Sequence, residues 1–167
     1  GGEGEAIALD VLVNAWRTFP RTAASSPGVT DSVLVAIESG AFATRPPALR
    51  AAAFRAGCSL LVAMMDEKCS VAGRLYRLLI SSLETAYSQN PLRHKMFQGL
   101  ATILAKSTQI PVRPLARPVA SLGAANIAST TEEDLEFWLV LARHPRVEPG
   151  ELLSLLNLLG SLTLNPS

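Results

Sequence analysis

Cysteine, histidine, lysine and aromatic side chains are all scarce in this chain, and each shortage removes a class of function. Cys58 and Cys69 are the only cysteines. Two thiols cannot make a disulfide framework, and each lies in or beside an apolar helical stretch, as reduced core cysteines do. His94 and His144 are the only histidines, and no C-x-x-C or H-x-x-x-H spacing is present to close a tetrahedral metal site. Phe, Trp and Tyr together make up 5% of residues, too few to interleave with a basic patch and stack nucleic-acid bases. A net charge of +1 supplies no overall field toward nucleic acid or an anionic membrane.

Catalytic signatures are missing as well. There is no G-x-S-x-G elbow and no G-x-x-x-x-G-K or G-x-G-x-x-G phosphate loop. Gly57-Cys58-Ser59 falls inside an apolar helix, where burial would raise the thiol pKa and leave it inert. The acids stand alone or gather at one helix start, Glu132-Glu133-Asp134, so no pair is arranged for acid and base work. The expectation is a non-catalytic protein without metal or cofactor. The longest uncharged run, Leu152 to Ser167, is interrupted by Asn157, Gly160 and Asn165-Pro166. It falls short of the roughly 20 apolar residues that span a bilayer, so no membrane is expected and the compartment is expected to be intracellular, cytoplasmic or nuclear. No signal-peptide pattern is visible, and the opening Gly-Gly-Glu-Gly lacks a methionine. Residues 1–167 therefore read as one domain, a fragment or C-terminal part of a larger protein.

What is present is apolar and periodic. Apolar residues reach 49% against 17% charged, below the roughly 25% charge of an ordinary soluble domain. Such a chain buries its surface against itself or needs a neighbour. Glu5 to Phe19 reads as a helix with Leu9, Leu12 and Trp16 on one stripe, stopped by Pro20. Asp31 to Phe42 reads as a second helix on Val33, Leu34 and Ile37, with a strand as the alternative. Pro46-Pro47 opens a third, running to about Met65, and a fourth runs from near Ser70 to Tyr87. Asn90-Pro91 pairs an N-cap with a first-turn proline and starts a helix that reaches about Lys106. Thr130-Thr131-Glu132-Glu133 resembles a capping box, and the helix behind it ends near His144-Pro145. Pro149 opens the last helix. Residues 111–122 admit two readings. A helix bent by Pro114 and Pro118 would place Arg113 and Arg117 on one face; an extended Pro111-x-x-Pro114 would make a polyproline docking peptide.

Leu49, Leu92 and Leu135 recur at an even spacing of about 43 residues, each early in a predicted helix. Two of these helices open alike: Leu49-Arg50-Ala51-Ala52-Ala53-Phe54 and Leu92-Arg93-His94-Lys95-Met96-Phe97 both read L-R-x-x-x-F. Leu61 and Leu104 follow at matching places. Helix starts advance by roughly 40 residues in two interleaved series. This two-helix unit resembles HEAT and armadillo repeats. The resemblance implies an all-α fold, an α-solenoid of about three to four antiparallel helix pairs, whose function is to bind another polypeptide. The third unit departs from the pattern, with Glu136 and Phe137 after Leu135 and Val140 where the Phe would stand. An irregular helical bundle is the alternative architecture.

Two sets of residues are candidates for partner contact. In the last helix the leucines sweep roughly 220°, where an apolar stripe nearer about 100° would cover a core. Leu152, Leu155, Leu156, Leu159 and Leu162 are therefore expected to meet a partner protein or peptide, further repeats of a parent chain, or a second copy in a homo-oligomer. The basic set is Arg50 and Arg93, which successive repeats would align as a ladder with Arg55, Arg74, Arg77 and Lys95 nearby, and Arg113 with Arg117. Twelve arginines against three lysines favour fixed contacts between proteins. The expected function is a protein–protein interaction scaffold. The alternative is a nucleic-acid-associated helical repeat using the arginine ladder, although nucleic acid is not the expected partner.

Overall fold

Proline sets most of the helix starts. It lacks an N–H that the first turn could not use, and its ring presets a helical φ. In the computed structural model, which describes residues 2–164, Pro20, Pro27, Pro47, Pro91, Pro114 and Pro149 all fall in a first turn. The elements are α1 (Gly2–Thr18), α2 (Pro20–Ala24), α3 (Pro27–Gly40), α4 (Pro47–Asp66), α5 (Ala72–Ala86), α6 (Asn90–Lys106), α7 (Arg113–Ala125), a single 3-10 turn (Ile127–Ser129), α8 (Glu132–Arg143) and α9 (Pro149–Leu164). Among the described residues the structure is all-helical, with no strand.

Four local expectations are corrected. Pro20 interrupts the first helix at Phe19 but then opens the short α2. The second predicted helix begins at Pro27, ahead of Asp31, and the strand alternative at Val33–Ile37 is not taken. Asn90 does not cap α6: Gln89 holds the extended cap position, and Asn90 is the first helical residue. Residues 113–125 are helical with Pro118 inside, so no polyproline docking peptide forms there. A capping box is present, but one residue later than Thr130 with Glu133: the Thr131 hydroxyl accepts from the Asp134 amide, and Asp134 accepts from the Thr131 amide at 2.9 Å.

The chain, which reads as one domain, divides into two compact units, Gly1–Ala86 and Tyr87–Ser167. In the first, α4 is the centre and α1, α3 and α5 pack on it. Leu9, Trp16, Leu34, Ile37, Phe54 and Leu79 are buried there. Gly40 lets α3 approach α4 closely, since a Cβ at that position would lie 2.9 Å from the Ala53 methyl. Among the described residues α4 is the one helix long and apolar enough to cross a membrane, yet 61% of that window is buried inside the protein. It ends in a Schellman turn. Lys68 adopts a left-handed φ of 53°, its amide donates to the Met65 carbonyl, and the Cys69 amide donates to that of Met64.

In the second unit α6 packs on α8, α7 on α9, and α8 on α9. Phe97 and Phe137 stack with ring centroids 4.1 Å apart, and Tyr87 meets Phe97 edge-on. Gly123 admits Leu158 and Trp138, each of which would lie 2.9 Å from an added Cβ. His144 ends α8 and is buried, with Nδ1 accepting the Arg146 amide.

Candidate functional site

The repeated L-R-x-x-x-F segments prove to be core. Leu49, Phe54 and Leu61 in α4 are buried, and so are Leu92, Phe97 and Leu104 in α6. Leu135 breaks the series and is only half-buried. The inward stripe of α8 is Asp134, Phe137, Trp138 and Leu141, so Leu135 stands one helical step to its side.

Arg50 and Arg93 are each 1% exposed, which corrects the expected surface ladder. Neither can line a groove or reach a nucleic-acid backbone. Arg93 grips Asp134 bidentately through one edge, Nε donating to Oδ1 at 2.9 Å and Nη2 to Oδ2 at 2.8 Å. Its Nη1 donates to the Tyr87 carbonyl, and its guanidinium lies 4.8 Å from the Tyr87 ring centre. Asp134 thus caps α8 and neutralises Arg93 at once. His94 adds to this cluster, with Nε2 2.9 Å from the Thr131 hydroxyl. Arg50 has no carboxylate: Nη2 donates to Thr85 Oγ1 at 2.7 Å and to the Ser82 carbonyl at 3.3 Å, while Nε is buried without a partner. Burial accordingly lowers the Arg50 pKa. Arginine was chosen at both places for reach and fixed geometry inside the protein.

The apolar candidates separate by face. Leu155 is buried in the core beside Leu158. Leu152, Leu159 and Leu162 are half-buried, whereas Leu156 is 51% and Leu153 60% exposed. On a helical projection Leu152, Leu156, Leu159 and Leu153 form one stripe turned away from Leu155 and Leu158; Leu162 falls on the inward side. The apolar arc is therefore split between a packed face and an open one. Leu153, the most exposed, did not stand out in the sequence because every leucine in the run looks alike until the inward face is known.

Arg113 and Arg117 share the outer face of α7, as the helical reading of that segment requires. Both turn toward Glu151 in the first turn of α9. Arg113 Nε lies 3.1 Å and Arg117 Nε 3.9 Å from the same Glu151 oxygen. A cleft of about 250 Å³ opens between these helix starts. Glu151 is the member that the sequence did not single out, because one acid behind Pro149 reads as ordinary first-turn charge.

Among the described residues no group of three or more His, Cys, Asp or Glu side chains converges as a metal site would require. Burial pushes the Cys58 thiol up to about 12, far from a reactive thiolate. No family model, curated protein or solved structure matches this chain.

Proposed function

We propose that this chain is a non-catalytic, polypeptide-binding module built from tandem helix pairs of the HEAT and armadillo kind, and that α9 is its docking helix. Packing inside each unit supports the architecture. Alternate helices touch, α1 with α3, α6 with α8 and α7 with α9, and so do consecutive ones, α3 with α4, α4 with α5 and α8 with α9. Stacked helix pairs require both kinds of neighbour. The two L-R-x-x-x-F helices bury the same positions, as repeated units do. Free Cys58 and Cys69 suit a reducing, intracellular compartment.

One observation carries the function: α9 holds a leucine stripe beside its packed face, with Leu153 and Leu156 exposed and Leu152 and Leu159 half-buried along its edge. No charged residue follows Glu151 in α9, so the stripe has neither repulsion nor steering to offer. Its natural occupant is the apolar face of a helix from another chain, laid along α9 with leucines at matching spacing. Each leucine so covered contributes about 1.5–3 kcal/mol.

The test is a fluorescence-anisotropy titration with an amphipathic peptide carrying leucines at helical i, i+3, i+4 and i+7 places, against a scrambled peptide of equal composition. Wild-type protein should bind the first in preference, and binding should survive about half-molar salt, where exposed charge contacts are screened. Leu153→Asp with Leu156→Asp should abolish that preference without unfolding the protein, because both side chains are exposed. Equal binding of the two peptides, or an unaffected double variant, would remove α9 from the function.

A further inference from the structure

In the first unit α1 packs on α2, α3 and α4 and buries Leu9, Val13 and Trp16. Its opposite side is apolar too, and open. Ile7 is 64% and Val11 62% exposed, and Gly4, Ala8 and Ala15 stand exposed around them. We propose that this face of α1 docks on the α9 leucines of a second copy of the chain, unlike face on unlike face. The inference rests on the reading of α9 as a docking helix and names the helix it receives.

Spacing and size fit the two faces together. Gly4, Ala8, Val11 and Ala15 follow a 4-3-4 spacing, and so do Pro149, Leu153, Leu156 and Gly160. Each set is therefore one seam of a helix pair. Laid parallel, the seams set Leu153 over Ala8 and Leu156 beside Val11, so large side chains enter the space that small ones leave. A Cβ built on Gly4 would have open space around it. Charge sets the direction. Neither seam carries a charged residue, so the contact strands no ion. Glu3 and Asp10 lie on one shoulder of the α1 seam, and Arg143 and Arg146 precede α9. All four are exposed and, among the described residues, make no ion pair. A parallel pairing brings these acids to the end that holds these arginines, whereas an antiparallel one would bring Arg17 there. A net charge of +1 leaves copies little mutual repulsion. No partner of other sequence is needed to supply the complement.

Two short seams make a small interface, so association is expected at roughly micromolar to millimolar concentration. Sedimentation velocity on the whole chain across that range is the test. The apparent mass of the wild type should rise with concentration. Ile7→Asp with Val11→Asp and, separately, Leu153→Asp with Leu156→Asp should each hold the monomer mass. Melting temperatures should not change, because all four side chains are exposed. Mixed one to one, the two double variants should pair again, since one keeps a sound α1 and the other a sound α9. A wild type that stays monomeric, a mixture that does not pair, or an α1 variant that associates like the wild type would overturn the proposal. The leucine-patterned peptide needs α9 alone and should bind the α1 variant undiminished. A monomeric wild type that still binds that peptide would therefore strike this inference and leave the docking role of α9 standing.

Discussion

At the scale of single residues, the two buried arginines do one job with different partners, and the difference predicts different costs. Arg93→Met strands the Asp134 carboxylate in the core, and breaking a buried pair in this way costs about 3–5 kcal/mol. Arg50→Met strands no charge. Thr85 Oγ1 already donates to the Ser82 carbonyl at 2.9 Å, so those acceptors keep a partner and the loss should stay within about 1 kcal/mol. Urea unfolding of the two variants measures the contrast. Tyrosine supplies a second residue-level prediction. Burial, reinforced by the Asp134 charge and opposed by Arg93, pushes the Tyr87 phenol from its ordinary value of 10.0 up to about 12. Burial also raises Tyr76. Below pH 10 both folded and unfolded chains hold these protons, and stability is unaffected. Between about 10 and 12 the unfolded chain ionises first, so stability must fall as pH rises. Melting temperatures should decline through that window, with tyrosinate absorbance appearing only on unfolding. Tyr87→Phe should blunt the decline, and an unblunted decline would mean that Tyr87 is not the group responsible.

At the scale of elements, helix identity was legible because proline, leucine spacing and the Thr131 capping box all act locally. Boundaries were less legible where the decisive group is distant or carries no local mark. Pro20 stops one helix and starts another, and nothing in its neighbours distinguishes the two effects. The end of α4 is a Schellman turn without its usual glycine, so Asp66-Glu67-Lys68 gave no punctuation to read. That substitution is testable. Lys68 pays the steric penalty of a left-handed backbone, and Lys68→Gly should stabilise the protein by about 1 kcal/mol. A thermal-melt series that shows no gain would mean that the Lys68 side chain returns something in exchange. The basic ladder misled for a related reason: helical position locates Arg50 and Arg93 on their helices, but only packing reveals which side of each helix faces inward. Asp134 is one of three acids gathered at a helix start, and its pairing with Arg93 is a long-range contact that local pattern does not carry. Among the leucines of α9, Leu155 belongs to the core and Leu153 to the surface for the same reason.

At the scale of the whole molecule, a chain poor in charge and all-helical among its described residues leaves Leu153 and Leu156 exposed on α9, and the proposed function follows from that. If the stripe docks an apolar helix, association is driven by surface removed from water, and the thermodynamic mark of that process is a negative heat-capacity change. Contacts made by Arg113 and Arg117 would leave a different mark, weakening with salt. The most direct measurement is calorimetric titration of the leucine-patterned peptide into wild-type protein at several temperatures. A binding enthalpy that becomes steadily more negative on warming, and vanishes with Leu153→Asp and Leu156→Asp, is the predicted result. An enthalpy that does not change with temperature, or binding heat retained in full by the double variant, would contradict the role given to α9.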